Sequence, residues 1–144
     1  MTFEALPDDL PGLPMLLRAA RGSFASAIRV AMAAADMPAL PTNGPFILGG
    51  LHADPDSLEQ LVGQRRRSIE KYQTIDKLLE AGYLSGSHDD PVLTDRGHDA
   101  AHIIYGAIDG LTTSLNEWLG DDGMKSFVRG LLFLISDKQS REES

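Results

Sequence analysis

The sequence predicts a mainly α fold carrying one small β-hairpin. Three observations carry that expectation. Apolar residues recur at steps of three and four through several separate stretches. A short stretch from Tyr83 to Leu93 instead reads as two minimal strands around a polar turn. Pro and Gly punctuate the boundaries between these stretches, where a helix must start or stop.

The elements follow in order. Pro7, Pro11, Gly12 and Pro14 hold off regular structure until Pro14, which suits a first helical turn. A helix is expected from there to about Ala35, with Leu17, Ala20, Phe24, Ala27, Ile28, Ala31 and Ala35 on one line and Arg18, Arg21 and Arg29 off it. Such a stripe wants a partner along its whole length. Pro38 and Pro41 break the chain, and Asn43-Gly44-Pro45 reads as a cap and start for a short helix holding Phe46, Ile47, Leu48 and Leu51, ending near His52. Asp54-Pro55-Asp56-Ser57 is a turn, with Asp56 or Ser57 capping a very short helix that holds Leu58, Leu61 and Val62 and closes at Gly63. A longer helix is expected from about Gln64 to Ala81. Three helices joined by tight turns, the middle one short, match the helix-turn-helix pattern.

Past Gly82 the pattern changes to Tyr83-Leu84-Ser85, the turn residues Gly86 to Asp90, and Pro91-Val92-Leu93. Thr94 or Asp95 then caps a helix in which Ile104, Ile108, Leu111, Leu115 and Trp118 take the spacing of a coiled-coil seam. A break over Gly120-Asp121-Asp122-Gly123 precedes a last helix with Met124, Phe127, Val128, Leu131, Leu134 and Ile135 on one side. We expect a single domain over residues 1–144, in which a lobe over about 43–94 is flanked by dimerisation helices over about 13–35 and 95–135. The flanking helices carry more apolar face than so small a centre covers, and a homodimer is the economical way to bury it.

Composition narrows the function classes. At 144 residues, 42% hydrophobic and 24% charged, the chain has globular rather than low-complexity character. The absence of Cys removes disulfides, thiolate catalysis and Cys-type zinc sites. No apolar run approaches the roughly 20 residues of a membrane span, and Glu4, Asp8 and Asp9 stand where a signal peptide wants basic charge, so a cytoplasmic location and no membrane partner are expected. Thirteen basic residues against 21 acidic give a net charge of −8, the wrong overall sign for a phosphate-binding protein. Screening limits the reach of charge to about 8 Å at physiological salt, so the location of the basic residues decides.

Five of the thirteen fall in the helix expected from Gln64 to Ala81. At about 100° per residue, Ile69, Tyr72, Ile75, Leu78 and Leu79 share an inward face. Arg66, Arg67, Glu70, Gln73, Thr74 and Lys77 point the other way, with Arg65 and Lys71 at the borders. From Gln64 to Lys77, five basic residues against Glu70 and Asp76 leave a local surplus of three positive charges. These residue types suit a major groove: Arg bonds guanine bidentately, Gln bonds adenine, Glu accepts from cytosine, and Lys and Thr hold phosphates. The same face would also serve as an ordinary solvated surface, in which Arg66 and Glu70 form an i, i+4 pair. The helix-turn-helix order favours double-stranded DNA, and Arg65, Arg66, Arg67, Glu70, Lys71, Gln73, Thr74 and Lys77 are the candidate DNA-binding residues.

Two strings resemble the MarR family of bacterial winged-helix regulators. Ile75-Asp76-Lys77-Leu78 with Glu80-Ala81-Gly82-Tyr83-Leu84 is similar to that family's end of the recognition helix, and Leu93-Thr94-Asp95-Arg96-Gly97 to its passage from the wing into the dimerisation helix. The resemblance covers about residues 13 to 135. It implies a winged helix-turn-helix lobe between dimerisation helices, and a homodimeric transcriptional repressor acting on a pseudo-palindromic operator. Two departures stand out. The family's wing is longer and carries an Asp-x-Arg element, whereas Ser85 to Pro91 has Asp89 and Asp90 and neither Lys nor Arg. The recognition helix opens with Gln64-Arg65-Arg66-Arg67-Ser68 in place of a small, hydroxyl-rich string, so no base preference carries over. The alternative from another class is a protein-interaction or small-molecule-binding module that keeps this body without DNA binding.

The remaining chemistry is sparse. His98 and His102 lie four apart with Asp95 and Asp99 adjacent, a spacing compatible with a divalent ion. With no third His close in sequence, a polar helix flank accounts for them, and no metal site or cofactor is assigned; His52 and His88 could join from loops, though nothing in the spacing demands it. No nucleophile elbow, phosphate-binding glycine loop or dinucleotide fingerprint occurs, so no enzyme is expected. Gly49-Gly50 inside an apolar helix reads as close packing. The resemblance implies a small aromatic or lipophilic effector in a crevice that Phe24, Ile28, Met32, Phe46, Trp118 and Met124 would line. The same residues serve equally as core, and none is assigned to a site.

Overall fold

The computed structural model describes residues 9–41, 43–54 and 69–142, with Ile69, Glu70 and Lys71 described in their backbone only. The elements are α1 (Leu13–Ala34), α2 (Gly44–Ala53), α3 (Ile69–Glu80), β1 (Leu84–Ser87), β2 (Asp90–Leu93) and α4 (Asp95–Glu142). The protein is mainly helical, with one two-stranded antiparallel sheet. The expected short helix at Leu58 to Val62 and the first turn of the Gln64 helix lie outside the described residues. Two compact units divide the chain, Met1–Ile108 and Asp109–Ser144.

Local chemistry sets the boundaries in the first unit. Pro14 occupies the first turn of α1. At its other end the Asp36 N–H donates to Ala33 O at 3.1 Å and the Met37 N–H to Met32 O at 2.9 Å, with Asp36 at φ 57°. This is the double closure that satisfies the last carbonyls of a helix. The same closure ends α3: Gly82, at φ 86°, donates to Leu79 O at 3.2 Å, and Tyr83 to Leu78 O at 3.0 Å. The string Glu80-Ala81-Gly82-Tyr83 thus encodes a helix stop, and Tyr83 and Leu78, the positions whose apolar contact accompanies such a stop, are both buried in the same core. At α2 the expected cap position holds, with Pro45 in the first turn, but not through a side-chain bond. Asn43 holds the N-cap position with φ 68°, and its side chain makes no capping bond.

The hairpin pairs Leu84 with Leu93, Gly86 with Pro91 and Ser87 with Asp90. Its strands run closer to the tip than expected, leaving only His88 and Asp89 to turn. Gly86 makes this feasible, since at φ 88° a Cβ would stand 2.7 Å from Asp90 O. Thr94 caps α4: the Gly97 N–H donates to Thr94 Oγ1 at 3.1 Å, while that hydroxyl donates to Gly82 O at 2.6 Å. At Gly97 a Cβ would lie 2.1 Å from Tyr83 O, so only glycine lets the helix pass this close to the strand approach. The Arg96 guanidinium stands 4.8 Å from the centre of the Tyr83 ring.

The core joins Ile28 and Met32 of α1, Ile47, Leu48 and Leu51 of α2, Ile75 and Leu78 of α3, Tyr83 and Leu84, and Ala100 and Ile104 of α4. Ile47, Leu48, Ile75 and Leu78 are wholly enclosed, each stabilising the fold by about 1.5–3 kcal/mol. Only the last third of α1 enters this core, and Leu13, Met15, Leu17 and Val30 remain exposed.

Among the described residues of the second unit Gly120 alone leaves helical backbone, at φ 77° and ψ 167°. The break expected over Gly120 to Gly123 is therefore a single residue. No residue from Asp109 to Glu142 is buried, and Trp118, Leu132, Phe133 and Ile135 are more than half exposed. Among the described residues no helix is long and apolar enough to cross a membrane.

Candidate nucleic-acid interface

The candidate face can be followed from Tyr72 to Glu80. α3 packs against α2 and β1, which buries Ile75 and Leu78 and leaves Gln73, Asp76, Lys77 and Glu80 exposed. Gln73 and Lys77 thus stand where the helical period puts them. Thr74 does not: only 7% of it is exposed, and its expected outward position is corrected to an inward one. Thr74 occupies the turn directly above Leu78 on the covered side of the helix, where a small side chain fits beneath neighbouring elements. Glu70 and Lys71 belong to α3, but their side chains are not described, and Arg65, Arg66 and Arg67 lie outside the described residues.

The hairpin turn is fastened to this face. The His88 ring stacks on Tyr72 with centroids 4.1 Å apart and planes 6° from parallel. Its Nδ1 lies 3.1 Å from Asp76 Oδ1, and Nε2 lies 3.9 Å from Asp89 Oδ1. Tyr72, Asp76 and His88 were not among the candidates. Tyr72 fell on the inward arc, and nothing local relates residue 88 to residues 72 and 76. The hairpin tip is acidic, with Asp89 and Asp90 both exposed.

A second polar cluster joins α2 to α4 in the first unit. His52, His98 and His102 meet, with His52 Nδ1 and His98 Nδ1 3.0 Å apart. Sequence spacing relates His98 to His102; His52 does join them, from the last turn of α2 rather than from a loop. His88 is elsewhere, bound to Asp76. Among the described residues no group of three or more His, Asp or Glu is arranged to hold a metal ion.

Of the candidate effector-crevice residues, Phe24, Ile28, Met32 and Phe46 belong to the first unit and Trp118 and Met124 to the second. Ile28 and Met32 are committed to the core, whereas Phe46 is 55% exposed. Within the second unit an open depression of about 480 Å³ is lined by Asn116, Asp121, Met124, Lys125, Val128 and Arg129. Its mixed charges suit no single ligand class. Family models, curated proteins and solved structures were compared with the chain, and none matches.

Proposed function

We propose that the chain is a winged helix-turn-helix DNA-binding regulator that acts as a homodimer, repressing transcription by covering a pseudo-palindromic operator as the MarR-like strings imply. The observation that carries this reading is the pairing of α3 with the hairpin. A helix with an exposed polar face is held by Tyr72 and Asp76 to the turn of a two-stranded sheet, the relation that a recognition helix has to its wing. The surplus of positive charge from Arg65 to Lys77 supports the same reading. In the second unit, helical residues with no buried core support the homodimer, because isolated helices are marginal in water and draw their stability from packing.

The test is binding to mixed-sequence duplexes over a series of salt concentrations. A regulator of this kind gives a steep negative slope of log affinity against log salt. Arg66→Ala and Arg67→Ala each reduce that slope by about one where they contact phosphate. A flat salt response overturns the proposal. A second reading has its own observation: Asp76 of α3 and Asp89 of the hairpin tip both approach His88, with the exposed Asp90 next in sequence. An interaction module that keeps the body and has lost DNA binding would carry such a rim, and it gives the flat response.

A further inference from the structure

The last turn of α2 meets the first turns of α4 through imidazoles. His52 faces His98 and His102, which stand one turn apart on α4. The ring centroids are 5.2 and 4.8 Å from that of His52, at interplanar angles of 66° and 71°. The Tyr105 ring follows at 5.7 Å, and its hydroxyl donates to Gly49 O at 2.6 Å, a second polar tie between the same two helices. Asp54 at the C-cap of α2 and Asp95 and Asp99 on α4 are the acidic residues nearest in sequence to these rings.

The 3.0 Å separation of the His52 and His98 Nδ1 atoms is a statement about protons. An Nδ1–H···Nδ1 bond requires one of the two nitrogens to keep its lone pair. If both rings are neutral, one donates and the other accepts. Adding one proton at the donor's Nε2 leaves the bond intact and makes it charge-assisted. Adding a second puts N–H groups on both facing nitrogens and sets two cations ring to ring, with a third imidazole, His102, against the same ring.

We propose that His52, His98 and His102 form a proton-operated latch between α2 and α4, closed while one of the facing nitrogens is unprotonated and released when the cluster takes up a further proton. The proposal stands on the ring geometry and holds whether or not the chain binds DNA. Burial first, then His102 and His98, lower the proton affinity of His52 below its ordinary value near 6.5. The folded state therefore binds fewer protons at this ring than the unfolded chain does below about pH 6.5. The stability that His52 contributes is present above that pH and is lost as pH falls through the lower folded value. The helix so released, α2, is the one whose C-terminal end leads along the chain toward α3.

The test is the melting temperature of the full chain between pH 5 and 8, for the wild type and for His52→Gln, which keeps a polar side chain and does not titrate. The wild type should lose several degrees more than the variant between pH 7 and 5.5. In the unaltered protein the His52 ring, followed by NMR, should titrate below the midpoint of an unfolded histidine, and this measurement carries the test if the variant does not fold. Equal pH profiles for the two proteins overturn the latch, as does a His52 midpoint at or above 6.5. A rise in melting temperature with added zinc that disappears in His98→Gln/His102→Gln also overturns it, by making the cluster a metal site.

Discussion

Replacing Gly97 by alanine tests the junction on which the hairpin and α4 both depend. The new Cβ would stand 2.1 Å from Tyr83 O, 3.2 Å from Tyr83 C and 3.0 Å from Leu93 Cδ2. The nearest obstacle is backbone, roughly 1 Å inside contact distance, and no rotamer can clear it. Tyr83 O also accepts from the Thr94 N–H at 3.2 Å, so displacing the carbonyl weakens that bond. Overpacking costs about 1–3 kcal/mol and the weakened bond about 0.5–1.5 kcal/mol, while alanine returns about 1 kcal/mol of helix propensity. The balance is a loss of about 2 kcal/mol, or about 6–10 °C in melting temperature for a chain of this size. Gly106 is the control, since on the same helix nothing lies within 4 Å of its added Cβ. Gly106→Ala should stabilise by about 0.5–1 kcal/mol. Thermal denaturation followed by circular dichroism reads both. A Gly97→Ala protein as stable as the wild type would refute the reasoning, and so would a Gly106→Ala protein destabilised to the same degree.

Thr94→Ala removes the acceptor for the Gly97 N–H and the donor to Gly82 O, and should cost about 1–2 kcal/mol, read in the same melting experiment. Gln73→Ala, at an exposed position, should leave stability within about 0.5 kcal/mol and relax sequence preference among bound duplexes. Thr74→Ala, at a buried one, should lower stability and leave the salt slope of DNA binding unchanged. Asp89→Arg should tighten binding to two unrelated duplexes alike, because the side chain is 77% exposed and gives up only the 3.9 Å approach to His88; unchanged affinity would place the hairpin tip away from the nucleic acid. Sedimentation at micromolar concentration should return a dimer, and a soluble monomer would contradict the homodimer.

Boundaries were legible wherever one residue's covalent geometry decides the backbone. Pro14, Gly82 and Thr94 each mark an end or a start that the structure places within a residue or two. The apolar periods of α2 and α3 likewise found Ile47, Leu48, Leu51, Ile75 and Leu78. What a helical period cannot supply is which neighbour covers its edges. Thr74 and Tyr72 lie on opposite flanks of the same apolar arc; one is covered, and the other stacks on a hairpin residue sixteen positions later. Asn43 shows the same limit at a cap, where its left-handed backbone, rather than its side chain, starts the helix. The His52–His98 contact spans 46 residues and rests wholly on tertiary packing. Of the eight candidate DNA-binding residues, Gln73 and Lys77 are seen exposed and Thr74 is seen buried.

The charges in α3 and in the sequence just before it also argue for how it would meet DNA. Arg65, Arg66, Arg67 and Lys71 all precede Tyr72 in sequence, whereas Asp76 and Glu80 follow it, joined at the hairpin tip by Asp89 and Asp90. His88, the hairpin residue able to take a positive charge, is engaged by Asp76 and stacked on Tyr72. With screening at about 8 Å, phosphates approaching the C-terminal end of α3 meet several carboxylates and one exposed Lys77. A helix lying lengthwise in a groove would bring both ends equally close and set that repulsion against the arginines. A helix inserted by its N-terminal end avoids the conflict, and that is how recognition helices of helix-turn-helix proteins read base edges. The hairpin would then act less as a second reading element than as a brace, holding α3 through Tyr72 and Asp76 while its acidic tip lies within reach of the duplex without bonding it. On that account Asp89→Arg adds a contact the native protein lacks, and the arginines before Tyr72 carry nearly all of the salt dependence.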